Sequence, residues 1–238
     1  MSNTMRVLGI VPARGGSKRL PRKNLALFAG KPLVARAIET ALAAERLDRV
    51  VVSSDDSEIL QIARDYDPEI VLRRPDEISQ DRSLAIEFVH HALGILEGNG
   101  EPHFDAVCLI QPSSPLTRPS DVDDTIALLE GSDVDSAVSV SKLDQEFHPL
   151  KLKLMQGDLL IPYLEEEKGR MAAHEIPTVY SRNGSVYVTR RRAIDEGKVI
   201  GDDCLGHVMP REYSIDINDE IDLAFAEFML NRQSHATA

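Results

Sequence analysis

A short apolar run that leads directly into a strongly basic loop constrains the fold of this 238-residue chain more than any other stretch. The run begins at Val7 and is nearly unbroken, which predicts a buried parallel strand covered by helices on both faces. The loop that follows holds two adjacent glycines and five cations: Arg14, Lys18, Arg19, Arg22 and Lys23. Because it leaves the carboxyl end of the first strand, where open α/β sheets bind ligands, we expect a binding site there.

The basic loop lies on a chain whose formal net charge is −12, so its composition needs a physical reason. Glycines allow backbone N–H groups to approach phosphate oxygens, and lysine and arginine neutralise phosphate charge, so the loop predicts a polyphosphate site. The alternatives are a solvated basic loop and a nucleic-acid patch. Pro21 and the paired glycines shape the loop, which favours the phosphate. The loop matches neither the Walker signature nor the Gly-x-Gly-x-x-Gly signature.

The acidic composition limits the possible partners. A pI near 5.0 argues against nucleic acid as the main partner and against binding to anionic membranes. The two cysteines, Cys108 and Cys204, support neither a disulfide framework nor a metal knuckle. No apolar run approaches the roughly 18 residues of a membrane helix, and Arg14 ends the first run too early for a signal peptide. We therefore expect a cytoplasmic protein without a membrane partner.

Strand and helix patterns alternate along most of the chain. Strands are predicted from residue 7 and at 49–53, 70–72, 106–110, 136–140, 185–189 and near 208–209. Helices are predicted at 31–46, 57–65, 81–96, 121–130 and 219–230. Such alternation predicts an α/β fold with a doubly wound, mainly parallel sheet covered on both sides.

The alternation lapses between residues 144 and 178. This stretch holds three prolines, a hairpin-like Gln-Gly-Asp at 156–158 and a charge run at 165–168. A structureless loop of that length is improbable inside a compact domain, so we interpret it as an insertion that packs against a second copy of the chain. Residues 1–143 and 179–238 then form the nucleotide-binding and catalytic α/β domain, and residues 144–178 form an inserted dimerisation segment.

Polar side chains follow two more of the predicted strands. Ser54 and Asp56 are expected to cap the next helix, whereas capping and ligand binding remain equally open for Ser53 and Asp55. The strand at 106–110 leads into a hydroxyl-rich loop at 111–118, stiffened by two prolines. A proline-shaped turn without a ligand is the alternative there, but its position at a strand end favours ligand contact.

The segment 214–218, Ser-Ile-Asp-Ile-Asn, predicts a seat for a metal ion. Its alternation buries the isoleucines on one side and presents Asp216 and Asn218 together on the other. Mg²⁺ prefers oxygen ligands while also holding substrate phosphates. For Asn218, capping of the following helix is an equally good interpretation. A phosphate site plus Mg²⁺ predicts phosphoryl or nucleotidyl transfer, in which Lys23 steadies charge on the phosphates.

Seven motifs in this order resemble the signatures of the CMP-sialic acid synthetases, also called acylneuraminate cytidylyltransferases. They are PARGGSKRLPRKN (12–24), VSSD (52–55), LRRP (72–75), QPSSPL (111–116), HPLK (148–151), RNGSVY (182–187) and SIDIN (214–218). The first motif is shared with other sugar nucleotidyltransferases, but the set together is specific. The resemblance covers nearly the whole chain and implies a Rossmann-like nucleotidyltransferase fold.

The resemblance also implies a reaction and a set of residue roles. The anomeric hydroxyl of a 2-keto-3-deoxy sugar acid, such as a nonulosonic acid, would attack the α-phosphorus of CTP, releasing pyrophosphate and forming a CMP-sugar. The catalytic residues would be Arg14, Lys23 and Asp216, with Asp216 and Asn218 at the Mg²⁺. Nucleotide contacts would come from Arg14, Gly15, Ser17, Lys23, Asn24, Ser53, Asp55 and Arg74. Contacts to the sugar acid would come from Gln111, Ser113, Lys151, Asn183 and Tyr187, and residues 144–178 would form a homodimer.

One residue departs from the family pattern. The sialic acid enzymes carry a second aspartate where this chain has Asn218. The change removes one negative charge from the predicted metal site, and it suggests a branch of the family that uses legionaminic or pseudaminic acid. Two other functions are open: a sugar-1-phosphate nucleotidyltransferase that uses another nucleotide, and a non-catalytic nucleotide-binding relative. Cytosine enters by resemblance alone, because no spacing rule identifies the base.

Overall fold

The computed structural model describes residues 5–164 and 177–236. The strands in chain order are β1 (Val7–Pro12), β2 (Leu27–Phe28), β3 (Lys31–Pro32), β4 (Arg49–Ser54), β5 (Val71–Arg73), β6 (Ala106–Ile110), β7 (Ser136–Lys142), β8 (Lys153–Gln156), β9 (Leu159–Pro162), β10 (Tyr180–Arg190) and β11 (Cys204–Val208). The helices are α1 (Leu33–Ala43), α2 (Ser57–Tyr66), α3 (Ala85–Gly98), α4 (Pro119–Glu130), α5 (Arg191–Asp195) and α6 (Glu220–Ala236).

A seven-stranded sheet forms the centre of the protein, in the order β11-β7-β10-β6-β1-β4-β5. Strand β1 pairs in parallel with β4 and β6, β4 pairs in parallel with β5, and β7 pairs in parallel with β11. Strand β10 runs antiparallel to both of its neighbours, β6 and β7. The prediction of a doubly wound, mainly parallel sheet is confirmed.

Alternating residues of β1 show why the sheet is covered on both faces. Val7 and Val11 belong to one buried cluster, which includes the apolar faces of α1, α2 and α4. Leu8 and Ile10 belong to the cluster on the opposite face, which includes residues of α3 and α5. All four of these side chains are fully buried, as a central strand with helices on both sides requires.

A third apolar cluster lies beneath the carboxyl edge of the sheet. It joins Leu20 of the basic loop and Leu116 of the hydroxyl-rich loop to Ile215 and Ile217, and it includes residues of α6. Both isoleucines are buried, as the alternation predicts, while Asp216 and Asn218 are half-buried. This cluster therefore anchors the predicted metal segment against the two predicted ligand loops.

Several elements differ from their predicted bounds. Helix α3 begins at Ala85 rather than at residue 81, because Leu84 is its N-cap and its backbone N–H donates to Glu87 Oε2 at 2.6 Å. Strand β10 begins five residues before the predicted 185, because a shift of register between Arg182 and Tyr187 lets it continue beside β7. Gly184 lies within this irregularity at φ 77°, a conformation that favours glycine. Strands β2, β3 and helix α5 were not predicted.

The stretch 144–178 leaves and rejoins the sheet at one narrow point. The backbone N–H of Leu143 donates to the carbonyl of Val179 at 3.0 Å, so its two ends lie side by side. Within it, β8 and β9 form an antiparallel hairpin with Gly157 at φ 61°, which agrees with the turn expected at 156–158. The predicted charge run at 165–168 lies outside the described residues.

Among the described residues, no helix is both long enough and apolar enough to cross a membrane.

Candidate functional site

The basic loop forms one wall of a cleft of about 520 Å³ at the carboxyl edge of the sheet. The segment from Arg74 to Phe88 forms the opposite wall, and the start of the hydroxyl-rich loop forms the floor. The cleft brings together eight of the residues predicted for the site: Arg14, Ser17, Lys23, Asn24, Arg74, Gln111, Ser113 and Asn218. Gly16, which was not among the predicted contacts, also lines it. The resemblance had assigned Gln111 and Ser113 to the sugar acid, and the structure places them in this first cleft.

Gly15 and Asp55 hold the basic loop in shape instead of lining the cleft. The N–H of Gly15 donates to Asp55 Oδ1 at 2.9 Å, so Asp55 fixes the loop from the end of β4. A Cβ at Gly15 would lie 2.7 Å from Asp56 Oδ2. Asp56 is immobilised because its Oδ1 caps α2, accepting from the N–H groups of Glu58 and Ile59. Asp56 thus has the capping role that the sequence predicts, and it leaves no room for a side chain at position 15.

Ser53 and Arg74 form a buried pair behind the cleft. Arg74 Nε donates to Ser53 Oγ at 3.0 Å and its Nη2 donates to the Ser53 carbonyl at 2.8 Å. The guanidinium lies 4.4 Å from the ring centre of Phe88. Burial lowers the pKa of Arg74 to about 10, against the opposing effect of the Asp55 carboxylate. Ser53 therefore orients Arg74, and Arg74 remains charged at neutral pH.

Asp81, which the sequence analysis did not single out, connects the two walls of the cleft. Its Oδ1 lies 2.9 Å from Arg14 Nη1 and its Oδ2 lies 2.5 Å from Lys18 Nζ. The hydrogen bond from Lys18 lowers the pKa of Asp81, so the carboxylate is charged at neutral pH. The sequence pattern placed Asp81 at the start of a helix, and its role depends on contacts with Arg14 and Lys18, which lie far away in the sequence.

Lys23 joins the basic loop to the predicted metal segment. Its Nζ donates to the carbonyl of Ile217 at 2.9 Å. Burial lowers the pKa of Lys23 below its usual value, the Asp216 carboxylate opposes that shift, and Arg19 and Arg14 add to it. The two halves of the site predicted from distant parts of the sequence therefore meet at this lysine.

Asp216 and Asn218 are hydrogen-bonded to each other. Asn218 Nδ2 donates to Asp216 Oδ2 at 3.0 Å, and the backbone N–H of Asn218 donates to Asp222 Oδ2 at 2.8 Å. Asp219, not Asn218, caps the last helix, because its Oδ1 accepts from the N–H groups of Ile221 and Asp222. The capping interpretation of Asn218 is therefore wrong, and Asp222 is a further carboxylate beside the segment.

A second cleft of about 430 Å³ opens on the other side of Asp216. Its lining includes Asn183, Tyr187 and Asp216, three of the residues predicted for the site, as well as Arg182. Burial raises the pKa of Tyr187; Arg182 opposes the shift and Asp216 adds to it, so the phenol stays protonated at neutral pH. The structure thus places Tyr187 and Asp216 together in one polar cleft, which the contact of Lys23 with Ile217 connects to the basic loop.

Asn183 is largely occupied by contacts within the protein. Its Oδ1 accepts from Ser139 Oγ at 2.6 Å, and its Nδ2 donates to Ser214 Oγ at 3.0 Å. The side chain is 6% exposed. Its visible function is therefore to tie β10 to β7 and to the metal segment, although it also lines the second cleft.

Lys151 is the one predicted sugar contact that lies outside both clefts. It is exposed in a short 3₁₀ turn at 149–151, and the ring of His148 caps that turn by accepting from the N–H of Leu150 at 3.2 Å. The structure of this single chain does not bring Lys151 to Asn183 or Tyr187.

Asp216 is the candidate metal ligand of the site. Among the described residues, no group of three or more histidine, cysteine, aspartate or glutamate side chains is arranged to hold a metal ion. Asp216 instead offers a single half-buried carboxylate at the edge of the second cleft. Such a set fits an ion that keeps several waters and takes its other ligands from substrate phosphates, which is how Mg²⁺ is commonly bound.

Comparison with known proteins identifies the family. A family model described as cytidylyltransferase matches residues 8–197. The chain belongs to the cytidylyltransferase family. It is therefore an enzyme of the nucleotidyltransferase class, and its reaction is CTP-dependent cytidylyl transfer, as the motifs predict.

Three relatives illustrate the similarity. The chain is 32% identical over 234 residues to the CMP-N,N′-diacetyllegionaminic acid synthase of Legionella pneumophila, covering 98% of this chain and 99% of that protein. It is 29% identical to a pseudaminic acid cytidylyltransferase of Campylobacter jejuni, covering 98% and 100%. It is 28% identical to the N-acylneuraminate cytidylyltransferase of Escherichia coli, covering 93% of this chain and 51% of that protein.

Two solved structures share the fold. CMP:2-keto-3-deoxy-manno-octonic acid synthetase, solved in complex with CTP, superimposes with a TM-score of 0.68 at 16% identity and covers 96% of this cytidylyltransferase and 99% of that chain. The 4-diphosphocytidyl-2C-methyl-D-erythritol synthase of Anaerococcus prevotii gives a TM-score of 0.67 at 13% identity, covering 96% and 97%. At these identities, the comparison establishes the Rossmann-like fold alone.

The environment of the glycine pair predicts unequal effects of two alanine substitutions. We expect Gly15→Ala to weaken CTP binding at least tenfold, because the new Cβ collides with the capping carboxylate of Asp56 and displaces the loop. Gly16→Ala is the matched control, since a Cβ there meets nothing within 4 Å. Calorimetric titration with CTP measures both. Equal affinities in the two variants would contradict the role of Gly15.

Proposed function

We propose that this cytidylyltransferase couples CTP to a nonulosonic acid of the sialic, legionaminic or pseudaminic type, releasing pyrophosphate. One relative is named a CMP-N,N′-diacetyllegionaminic acid synthase and another a pseudaminic acid cytidylyltransferase, and the matches cover 99% and 100% of those two proteins. The observation that carries the proposal is the hydrogen bond from Lys23 to the Ile217 carbonyl, because it joins a triphosphate-sized cationic cleft to Asp216 and the second cleft.

The residues on the two sides of this junction have separate tasks in the proposed reaction. The cations of the basic loop, above all Arg14 and Lys23, hold the triphosphate in the first cleft and neutralise its charge. The sugar acid occupies the second cleft beside Tyr187. Its anomeric hydroxyl gives its proton to water in the open cleft, its oxygen forms a bond to the α-phosphorus, and the bond from that phosphorus to the leaving pyrophosphate breaks. Lys23 stabilises the charge that develops between the clefts.

We assign the metal of this reaction to Asp216, with Asn218 beside it. The half-buried carboxylate supplies one charged oxygen, and the amide of Asn218 orients it through the bond between Nδ2 and Oδ2 at 3.0 Å. When bound, Mg²⁺ would neutralise phosphate charge and orient the phosphates for in-line displacement. Since the reaction consumes CTP, we place it in the cytoplasm.

The proposed substrate class is tested by following pyrophosphate release from CTP with a panel of nine-carbon 2-keto-3-deoxy acids. We expect release with at least one of the sialic, legionaminic and pseudaminic acids, and none with sugar 1-phosphates. Parallel reactions with GTP and UTP examine the alternative of a sugar-1-phosphate nucleotidyltransferase. Release with a sugar phosphate, or none with any of the acids despite normal CTP binding, would contradict the proposal.

The environment of Lys23 predicts its effect on turnover. We expect Lys23→Ala to lower kcat by about a hundredfold, because a preorganised charge is removed from the transition state. Lys31→Ala is the control, since Lys31 is an exposed lysine paired with Glu39. Because the pKa of Lys23 is lowered, its ammonium group in the wild-type enzyme loses its proton at a lower pH than the side chain of free lysine does. We therefore expect activity to fall as the pH rises through this lowered pKa. A pH profile of kcat measures this loss of activity at high pH. An unchanged kcat in the Lys23→Ala variant would exclude Lys23 from the mechanism.

The charge at the proposed metal seat is tested from both directions. We expect Asp216→Asn to raise the Mg²⁺ concentration for half-maximal activity at least tenfold, because a charged ligand is lost. We expect Asn218→Asp to lower it, because a second carboxylate is added beside the first. Both titrations are made at saturating CTP and sugar acid. A metal requirement unchanged in both variants would contradict the assignment of Asp216.

We further propose that the β8–β9 hairpin, within the inserted dimerisation segment, pairs two copies of the chain. The cross-strand pair Met155 and Leu160 is 69% and 64% exposed, and the opposite face carries Leu154 and Ile161, which are also exposed. An isolated two-stranded hairpin is marginally stable in water, so these apolar faces need a partner surface. A second copy of the chain provides one and would bring exposed residues of the insertion, such as Lys151, toward a partner's cleft.

The hairpin surface predicts the oligomeric state. We expect the double variant Met155→Glu, Leu160→Glu to be monomeric, because two charges replace the most exposed apolar pair of the hairpin. Leu128→Glu is the control, since Leu128 is a partly exposed apolar residue on α4, away from the hairpin. Light scattering during size exclusion measures the mass. A dimer in the double variant, or a monomer in the wild type, would refute the interface.

A further inference from the structure

An ion pair between a buried aspartate and a partly exposed arginine lies at the start of α4, and the arginine lines neither cleft. Asp121 is fully buried, and Arg118 grips its carboxylate with two bonds, Nε to Oδ2 at 2.9 Å and Nη2 to Oδ1 at 2.7 Å. His207 Nε2 lies 3.3 Å from the same Oδ1. Burial acts to raise the pKa of Asp121, but the bonds from Arg118 and His207 outweigh it, so the pKa lies well below its usual value. The carboxylate is charged, and it fixes the guanidinium in one orientation.

The fixed guanidinium stacks on an aromatic ring next to the metal segment. The central carbon of Arg118 lies 4.2 Å from the ring centre of Tyr213, within the range of an attractive cation–π contact. Arg118 is the last residue of the hydroxyl-rich loop, and Tyr213 directly precedes the segment 214–218. The contact therefore clamps together two stretches of chain that approach the reaction centre from different directions.

A second contact between the same two stretches lies closer to the clefts. The backbone N–H of Ile217 donates to the carbonyl of Ser113 at 2.8 Å. Ser113 lines the first cleft, and Asp216, next to Ile217, lines the second cleft. Two links, one at Tyr213 and one at Ile217, thus set the position of the Asp216 carboxylate relative to the hydroxyl-rich loop, whose first residues line the first cleft. Movement of either link changes that position.

We propose that Arg118 is a positioning residue of the cytidylyl transfer, which holds segment 214–218 against the hydroxyl-rich loop by stacking on Tyr213. The inference rests on the proposed function for the role of Asp216, while the clamp itself is a property of the folded chain. Asp121 supports the clamp by fixing the guanidinium. Arg118 touches neither proposed substrate, so its removal alters the geometry of the transition state more than the binding of CTP.

The clamp is tested first without substrates. Tyr213→Phe retains the ring on which Arg118 stacks, whereas Tyr213→Leu removes the ring and keeps an apolar side chain against the apolar cluster beneath. We expect amide hydrogen exchange of segment 214–218 to become about fivefold faster in the leucine variant than in the phenylalanine variant, with exchange in β1 unchanged. Equal exchange in the two variants would overturn the proposal. This result does not depend on which substrate the enzyme uses.

Kinetics then separate positioning from general stability. We expect Tyr213→Leu to lower kcat about fivefold with the KM for CTP within twofold of the wild type, and Tyr213→Phe to match the wild type. Arg118→Lys keeps a cation but loses the flat guanidinium, and we expect it to act in the same direction. In the double variant Arg118→Lys, Tyr213→Leu, we expect no loss beyond that of Arg118→Lys alone, because the stacking contact is already lost in that background. Additive losses, or a rise in KM alone, would overturn the proposal.

The outcome is distinguishable from a failure of the proposed function. If the wild-type enzyme released no pyrophosphate with any nonulosonic acid, the substrate assignment would fail. The exchange measurement on the phenylalanine and leucine variants would still decide whether the clamp exists.

Discussion

The site depends on one hydrogen bond between residues far apart in the sequence. Lys23 donates to the Ile217 carbonyl across a separation of 194 residues, and this bond sets the distance between the basic loop and Asp216. The buried isoleucines on either side of Asp216 keep the acceptor carbonyl in place, because they pack in the same apolar cluster as Leu20 of the loop. Apolar packing and the hydrogen bond from Lys23 thus join the first cleft to the second cleft.

The acidic character of the chain shows itself in the way the cations are held. Asp55 fixes the loop backbone, Asp81 pairs with Arg14 and Lys18, and Asp216 acts on Lys23. Arg14, Lys18 and Lys23 therefore each have a carboxylate near them before any phosphate arrives. A triphosphate must compete with these contacts, which suits a site that has to release pyrophosphate after each turnover.

The sequence predicted the sheet well because hydrophobic periodicity is a local property. The run from Val7, the strand at 106–110 and the alternation of Ile215 with Ile217 each reveal burial without knowledge of the rest of the chain. The cationic cleft was also predictable, since a glycine pair among cations is a local signal. The assignment of cytosine and of the sugar acid needed family resemblance.

Other features depend on contacts between polar groups that no local pattern encodes. The bond from Gly15 to Asp55 spans 40 residues, and the pair of Arg14 with Asp81 spans 67. Asn183 was predicted to face the sugar acid, yet most of its hydrogen bonds are made to Ser139, Ser214 and other protein groups. Capping moved from Asn218 to Asp219 because the helix begins one residue later than predicted. Single polar side chains have several possible partners, and only the tertiary structure selects among them.

The narrow neck between Leu143 and Val179 has a consequence for how such enzymes diversify. Because the intervening stretch leaves from and returns to the end of the β7–β10 pair, its length can change with little effect on the sheet, since the entropy of closing a loop grows slowly with length. Evolution can therefore exchange or extend this appendage while the seven-stranded sheet stays the same. A protein engineer could transplant it between homologues at the same two residues.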